Sequence, residues 1–308
     1  MKPILHTSYI TLADCEFSDV HNTIPADGSV VFVHMEHIPL FFRTISRTKN
    51  KYVLISANSD YSFVFQEQYP VWADLQAWLQ FITIDAGFNY STLVVPGRCD
   101  TSDCRLSELF SIKVYSYTKS TLDSIPSNIV KWFVTNCDVS HPIIEHIPFG
   151  IPAWNADMIN LGRTSGNHTG SQRPINCYMN FEFNTLERVK LFEMYKDVFT
   201  SYKSGRSHDE FVSDLFHSEY VIAPPGNGFD SFRILESIYC GAVPIIVDTE
   251  FNKAYDGLPV VKITNFGQIP EIVSKKSEIN RGASLDNTPA DLLYWAKKIF
   301  QAKKSLKS

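Results

Sequence analysis

The sequence predicts an α/β protein made of two domains, each built around a parallel β-sheet. In both halves of the chain, short apolar runs alternate with helical patterns, as in sheets covered by helices. The length of 308 residues suffices for two domains of ordinary size. Residues 147–173 are rich in Pro, Gly, Asn, Ser and Thr, which is typical of a linker or a mobile loop. We therefore predict an N-terminal domain over 1–150, a linker over 151–173, a C-terminal domain over 174–290 and a C-terminal helix within 291–308.

The N-terminal half contains four apolar runs of strand length. Those at 29–34 and 51–57 are nearly continuous, as expected of strands that are buried on both faces. Two further strands are predicted at 92–95 and 112–117. Between these runs, aromatic residues at helical spacing predict a helix over 71–82. This alternation favours a parallel sheet.

The C-terminal half restarts the same alternation. Ser207 and Glu210 form a capping-box pattern, so a helix is predicted to begin after Ser207. A last helix is predicted to begin near Asn287, with Pro289 close to its first turn. The predicted strands are 175–181, 220–223, 242–247 and 260–263, and the other predicted helices are 185–200, 208–217 and 269–275.

The stretch 220–247 carries the main functional signal, because it predicts a strand, a glycine-rich turn, a helix and a second strand. Two prolines end the first strand, 220–223. Gly226 and Gly228 then allow the backbone to turn tightly and to approach a ligand. We call residues 224–231 the glycine turn.

The helix after the glycine turn predicts an anion site. Asp230 or Ser231 can cap it, which leaves unpaired N–H groups beside the turn, an arrangement that binds phosphate or diphosphate. Arg233 and Glu236 lie one helical turn apart, so both can face one ligand. Strand–glycine–helix units occur throughout α/β folds, and many bind nothing. Arg233 distinguishes the present unit from these, because a cation near a helix N-terminus is unfavourable unless an anion lies beside it.

Two segments resemble a known family. Pro-Pro-Gly-Asn-Gly-Phe-Asp-Ser-Phe-Arg-Ile-Leu-Glu (224–236), followed by Cys-Gly-Ala-Val-Pro-Ile-Ile (240–246), resembles the donor-binding motif of exostosin-type glycosyltransferases. In residues 129–152, a Trp-Phe…Asn run precedes Ile-Pro-x-Gly-Ile, which is similar to a segment of related enzymes. The compact length resembles small soluble enzymes of this type in large DNA viruses of algae.

The resemblance implies a GT-B-like α/β fold, in which two Rossmann-like domains face each other across a cleft. It also implies a nucleotide-sugar donor and transfer with inversion at the anomeric carbon. In such folds ligands bind at the carboxyl ends of both sheets, and the last helix, here 291–303, crosses back to the N-terminal domain. We expect a UDP-sugar donor, such as UDP-xylose or another UDP-hexose or UDP-pentose, and a glycan or glycoprotein hydroxyl as acceptor.

The donor-binding residues follow from the glycine turn and the resemblance. Arg233 and the amides of the turn would stabilise charge on the diphosphate, and by family analogy Glu236 would bind the ribose. Arg163 and Arg173 are further candidates for binding phosphate, although either could be a solvated loop charge. The predicted donor-binding set is Gly226, Asn227, Gly228, Asp230, Ser231, Arg233 and Glu236.

The catalytic base is expected from the N-terminal half, where two strand ends carry polar side chains. Glu36 follows the strand 29–34, and Asp60 follows the strand 51–57. These carboxylates are the leading candidates for taking the acceptor proton, with His34 and His37 behind them. Asp60 could instead be an ordinary turn residue.

A metal-independent enzyme is predicted. The chain contains no Asp-x-Asp triplet, and Asp248-Thr-Glu250 is the nearest pattern. Enzymes of the GT-B type usually rely on arginine and helix amides instead. Cys99 and Cys104 could form a local bridge or half a metal site, but no second pair supports zinc. The other cysteines are predicted to be buried thiols outside any disulfide, namely Cys15, Cys137, Cys177 and Cys240.

The composition of the chain argues against two classes of partner, nucleic acids and membranes. The net charge is −5 with both signs interspersed, so nucleic acid is not an expected partner. No apolar run approaches the ~20 residues that span a bilayer, and the first residues lack a signal-peptide pattern. We therefore expect a soluble cytoplasmic protein without a membrane span.

Two other hypotheses about the function stay open. One is a fucosyltransferase that uses GDP-fucose, although Ser-Phe-Arg (231–233) replaces the Thr-Glu-Lys that is diagnostic of that group. The other is a catalytically inactive module that binds a glycan or a nucleotide.

Overall fold

The computed structural model shows an α/β protein with two parallel sheets. It describes residues 1–34, 37–57, 125–137, 140–164, 173–182, 186–202, 206–226, 230–275 and 284–306. Within these ranges each sheet has five strands, and all neighbouring strands run parallel. The predicted fold class is thus confirmed at the level of an α/β protein with two parallel sheets.

The first sheet keeps its strands in chain order. They are β1 (Cys15–Phe17), β2 (Ser29–Val33), β3 (Tyr52–Ser56), β4 (Ile129–Val134) and β5 (Ile144–His146). The predicted strands 29–34 and 51–57 are confirmed as β2 and β3, whereas β1, β4 and β5 were not predicted. Strands β1 and β5 have only three residues each. The predicted strands 92–95 and 112–117 and the predicted helix 71–82 lie outside the described residues.

Helix α1 (Ile38–Ile45) covers one face of the first sheet. Its Phe41, Phe42 and Ile45 pack with Leu54 of β3 and Trp132 of β4 in one apolar cluster. The strands are apolar on both faces, as the run of buried residues in β2 and β3 indicates. The opposite face therefore needs a second cover.

The second sheet reverses its strand order. Its strands are β6 (Ile175–Asn180), β7 (Thr200–Tyr202), β8 (Ser218–Ile222), β9 (Val243–Val247) and β10 (Val261–Ile263), arranged in space as β10-β9-β8-β6-β7. The chain thus moves from β6 to β7 on one side, and then returns to β8 on the other. In open α/β sheets, such a reversal opens a crevice between the carboxyl ends of the two inner strands.

The helices of the second half mostly match prediction. They are α3 (Leu186–Tyr195), α4 (His208–Phe216), α5 (Phe232–Tyr239) and α6 (Ile269–Lys275). Ser207 and Glu210 form the predicted capping box. The predicted helix 185–200 is wrong at its end, because α3 stops at Tyr195 and Thr200 begins β7. Pairing of β7 with Tyr178–Asn180 decides this boundary, and no local pattern signals it.

The segment predicted as a linker, 151–173, contains a helix, α2, over Ala153–Thr164. Its buried residues are Asn155, Ala156 and Ile159, and the helix contacts α4 and α5. Pro152 directly precedes the first turn, where the missing N–H breaks no helical hydrogen bond. The segment 153–164 is therefore a packed helix and not the mobile loop that its composition suggested.

The last helix, α7, spans Leu292–Ser305 and packs against β2, β3 and β4. It begins five residues later than predicted from Asn287, because Asp291 is its N-cap and accepts a hydrogen bond from the Leu293 N–H. Lys298 of α7 pairs with Glu145 of β5. This helix is the second cover of the first sheet.

One apolar core joins the two sheets. Phe32, Ile55 and Phe133 of the first sheet belong to the same cluster as Val221 of β8 and Leu235 of α5. Trp295 and Ile299 of α7 lie in it too. Within the described ranges, no helix has the length and apolar character that crossing a bilayer requires.

Candidate functional site

The strand-order reversal between β6 and β8 places the glycine turn at the crevice of the second sheet. Strand β8 ends at Ile222 and leads directly into this turn. The described part of the turn comprises 224–226 and 230–231, so Gly226 lies in it. Asn227 and Gly228 lie outside the described residues.

Helix α5 begins where the glycine turn ends. The Ser231 side chain accepts a hydrogen bond of 3.3 Å from the Arg233 N–H, so Ser231 is the N-cap. Asp230, the other predicted cap, instead accepts hydrogen bonds from Phe149 and Tyr255. The first turn of α5 thus carries Arg233 at the carboxyl edge of the sheet.

The Arg233 guanidinium lies in a partly closed polar site. Its central carbon is 4.0 Å from the ring centroid of Phe211, a cation–π contact, and its Nε is 3.5 Å from Oε2 of Glu236. Nε and Nη1 are buried, and neither has a hydrogen-bond partner among the described residues. Buried donors without acceptors are unfavourable. Water or the oxygen atoms of an anionic ligand would satisfy them.

Arg188 of α3 is a second arginine at this site, and sequence reasoning missed it. Its guanidinium donates hydrogen bonds to the carbonyl oxygens of Pro225 (2.7 Å), Pro224 (3.2 Å) and Glu182 (3.2 Å). It therefore holds the start of the glycine turn by the two carbonyls of its prolines. The available signal was its spacing, since Arg188 lies three and seven residues before the buried Leu191 and Tyr195.

The two guanidinium groups affect each other. Burial and the nearby charge of Arg233 lower the pKa of Arg188 from 12.5 to about 9. Two cations in a poorly solvated site repel, and an anion between or beside them would relieve that repulsion. Arginine is also the residue best suited to phosphate, because its planar donors match phosphate oxygens. With the Glu236 carboxylate beside Arg233, these three groups carry a net charge of +1, so the site can bind an anionic group.

Glu236, for which a ribose contact is predicted, is buried beside Arg233, and its contact with a ribose stays a prediction. Only 2% of the residue is exposed, and its Oε1 accepts a hydrogen bond of 2.5 Å from Nδ2 of Asn155 on α2. Its other oxygen faces Arg233. In the structure Glu236 therefore orients Arg233 from the protein interior.

Arg163 and Arg173 lie at the wrong end of α5 for the predicted phosphate contact. Arg163 lines an open groove of about 640 Å³ together with Tyr239 and Gly241. Arg173 donates hydrogen bonds to the carbonyl oxygens of Phe216, Ser218 and Cys240. Eight residues of helix, about 12 Å, separate this end from the glycine turn. Cations there complement helix carboxyl ends instead.

Asp230 joins the glycine turn to the N-terminal half. Its carboxylate accepts hydrogen bonds from the Phe149 N–H (2.8 Å) and the Tyr255 hydroxyl (2.5 Å). Its own N–H donates to Oδ1 of Asn136 at 2.6 Å. Burial raises the pKa of the Asp230 carboxyl from 3.8 to about 7, although hydrogen bonds from Tyr255, Phe149 and Ser231 each lower it. In the structure Asp230 thus makes contacts within the protein, and its predicted contact with the donor stays a prediction.

The two segments that resemble glycosyltransferases meet at this point. Asn136 follows β4, Phe149 lies shortly before α2, and both contact residues at the start of α5. The Phe149 ring stacks on Phe232, with centroids 4.7 Å apart and planes at 9°. Residues about 80 positions apart in the chain therefore form one structure.

The catalytic-base candidates Glu36 and Asp60 lie outside the described residues. His34 and His37 are described: His34 Nε2 is 3.5 Å from Oε1 of Glu16, and His37 Nε2 is 3.8 Å from Oδ1 of Asp19. Both histidines thus lie beyond the carboxyl end of β2, next to acidic partners of the β1 region. The assignment of the base stays a prediction.

The acidic pair after β9 contacts lysines. Asp248 lies 3.5 Å from Lys262, and Glu250 pairs with Lys253. Within the described ranges, no three His, Cys, Asp or Glu side chains cluster closely enough to hold a metal ion. Cys15, Cys137, Cys177 and Cys240 form no disulfide, and all but the half-buried Cys15 are buried. Cys99 and Cys104 lie outside the described residues.

Comparison of the sequence with models of known protein families finds no match, and a search among curated proteins finds no significantly similar sequence.

Proposed function

We propose that this chain is an inverting glycosyltransferase that binds a UDP-sugar at the glycine turn and transfers its sugar to a glycan hydroxyl. The observation that carries the proposal is the convergence of Arg188 and Arg233 on the carboxyl edge of the second sheet, at its strand-order reversal. A diphosphate supplies oxygen atoms that could accept hydrogen bonds from the buried Nε and Nη1 of Arg233. The resemblance of the same segment to a donor-binding motif supports the choice of a nucleotide sugar.

The proposed chemistry assigns separate tasks to the two halves. The acceptor oxygen attacks the anomeric carbon, the bond from that carbon to the diphosphate oxygen breaks, and a base takes the hydroxyl proton. Arg233 and Arg188 would stabilise the charge that grows on the departing diphosphate. The base would come from the N-terminal half, with Asp60 and Glu36 as candidates. Because arginines supply the positive charge, we propose that transfer needs no metal ion.

A thermal-shift screen without metal and with EDTA tests the donor site. A ligand that binds only the folded protein raises the midpoint by mass action, so UDP or one UDP-sugar should raise it selectively. Arg233→Ala should abolish most of this shift, because a charge-assisted contact to phosphate is worth about 1.5–3 kcal/mol. Arg163→Ala, at the far end of α5, is the matched control and should keep the shift.

The other outcomes are equally informative. A shift with GDP and GDP-fucose alone would favour a fucosyltransferase. Equal loss of the shift in both arginine variants would contradict the placement of the site. Binding without turnover of any UDP-sugar in the presence of glycan acceptors would indicate a nucleotide-binding module. Activity lost in EDTA and restored by a divalent ion would overturn metal independence.

A further inference from the structure

Helix α5 depends on the N-terminal half for its position. Its first turn carries Arg233, and the residue before its N-cap is Asp230. Asp230 hydrogen-bonds the Phe149 N–H, the Tyr255 hydroxyl and, through its own N–H, Asn136. Asn136 and Phe149 both belong to the connections that follow strands of the first sheet. Through its backbone N–H and its carboxylate together, Asp230 therefore ties the start of α5 to two separate loops of the other half.

Asp230 is an unusual choice for a purely structural link. It is only 5% exposed, and no cation stabilises its carboxylate among the described groups that influence it. An uncharged residue would avoid the desolvation of a buried carboxylate, which is unfavourable. Only an ionised carboxylate, however, accepts from several donors at once without needing a proton of its own. The three donors here are Phe149 N–H, Ser231 N–H and the Tyr255 hydroxyl.

We propose that Asp230 is a positioning residue whose ionised carboxylate holds the first turn of α5, and with it Arg233, in the geometry that binds the nucleotide sugar. This inference rests on the proposed function and adds its regulation: the donor site is competent while Asp230 is charged and weakens when Asp230 is protonated. A neutral carboxyl must donate its own proton, so it cannot serve all three donors equally well.

The phenols around Asp230 do not titrate near neutral pH. Tyr9 of the N-terminal 3-10 helix, Tyr239 of α5 and Tyr255 of the 3-10 helix Glu250–Tyr255 all have pKa values raised by burial, so these phenols stay neutral. The charged groups of α5 are Arg233 and Glu236. Two histidines lie on adjoining elements: His6 contacts Phe232, and His146 is on β5, which packs against the Tyr255 helix.

The affinity for a UDP-sugar should therefore depend on pH. Each phosphate of a UDP-sugar carries one ester and one anhydride linkage and keeps a single strongly acidic oxygen, so the charge of the diphosphate stays constant from pH 6 to 8. With the Asp230 pKa at about 7, the ionised fraction falls about tenfold from pH 8 to pH 6, and the dissociation constant should rise about tenfold. Isothermal titration at several pH values measures this profile.

Two variants test whether Asp230 causes the pH dependence of the affinity for a UDP-sugar. Asp230→Asn keeps the size of the side chain and cannot ionise, so its affinity should be weak and nearly independent of pH. Both histidines remain in that variant, so any residual pH dependence is theirs. Tyr255→Phe removes one donor that lowers the Asp230 pKa, so the midpoint of the profile should move to higher pH. A residue that only supports the fold would change neither the slope nor the midpoint. A wild-type profile in Asp230→Asn, or a flat profile in the wild type, would overturn the proposal.

A second measurement needs no nucleotide and separates this proposal from the proposed function. The amide proton of Phe149 is hydrogen-bonded to the Asp230 carboxylate, so its exchange at pH 8 should be slower in the wild type than in Asp230→Asn. Equal protection of the Phe149 amide in the two proteins at that pH would refute the positioning role. If no nucleotide binds but the exchange result holds, the proposed function fails while the Asp230 link stands.

Discussion

Asp230 illustrates how one residue can oppose stability while it organises a site. Burial raises its pKa from 3.8 to about 7, so the carboxylate present at neutral pH is held in an unfavourable environment. Residues with such strongly shifted pKa values concentrate at functional sites. The hydrogen bonds from Phe149 and Tyr255 only partly offset the loss of water. Its position directly before the cap of α5 places this unfavourable charge where it can control Arg233.

The same residue predicts how stability depends on pH. Between pH ~4 and ~7 the folded protein binds a proton at Asp230 that the unfolded chain has already released, so this contribution to the free energy of unfolding decreases as pH rises. It levels off above pH 7, after a loss on the order of a few kcal/mol. Urea titrations of the wild type and Asp230→Asn across pH 4–8 measure it. The difference between the two proteins should follow this curve, and a constant difference would show that Asp230 titrates normally.

At the scale of elements, some boundaries are determined by the local sequence and others by contacts between distant parts of the chain. The glycine turn and helix α5 were predictable, because Pro224, Ser231 and Gly241 mark their boundaries within a few residues. The end of α3 was not, since β7 forms only by pairing with β6. The role of Arg188 was likewise hidden, because its acceptors Pro224 and Pro225 lie more than 30 residues away.

The same division explains the corrections at the site. Glu236 was predicted at the ligand from its helical spacing to Arg233, and that spacing is correct. Its burial depends on Asn155, in a segment whose composition indicated a linker. Arg163 and Arg173 were placed near phosphate by charge alone, and only the packing of α2 and α5 shows that they lie at the opposite end.

The pairing of the N-terminal segment with residue 151 makes a testable element. Ile151 exchanges backbone hydrogen bonds with Ile4 and His6, and Gly150 beside it has φ +95°. A Cβ at Gly150 would lie 2.6 Å from the His6 nitrogen and 2.7 Å from the Leu5 carbonyl carbon. Gly28 also has positive φ, +76°, but a Cβ there meets nothing within 4 Å.

We therefore expect two glycine substitutions to differ in their effect on stability. Gly28→Ala should cost about 1–2 kcal/mol, the strain of a left-handed residue. Gly150→Ala should lose a further 1–3 kcal/mol or so, because rigid backbone atoms must move apart. Denaturant titration of both variants measures the two values. Equal losses would mean that the backbone contact between the N-terminal segment and residue 150 is not tight.

At the scale of the whole molecule, the shared core makes the two halves depend on each other. Helix α7 packs on the first sheet, while its Trp295 and Ile299 belong to the cluster that contains Leu235 of α5 and Val221 of β8. Unfolding of either half would therefore expose apolar side chains of the other half that belong to this shared cluster. Two domains joined only by a linker would not be coupled in this way.

This coupling predicts a single cooperative unfolding transition. Circular dichroism and tyrosine or tryptophan fluorescence should give the same midpoint, because both halves unfold together. Trp295→Ala should lower the stability by about 3–5 kcal/mol and keep the transition single. Phe300→Ala, on the exposed side of the same helix, is the matched control and should change it little. Two separate transitions in the wild type would contradict the shared core.

The stack of Phe149 on Phe232 has a consequence for inheritance. The two rings belong to distant parts of the sequence, yet they stack on each other, so the size and position of one ring must suit the other. A hybrid chain that took its first half from this protein and its second half from a diverged relative would bring together rings that were never selected as a pair. Recombination between such genes should therefore succeed more often when the crossover keeps residues 136–149 and 230–232 from the same parent.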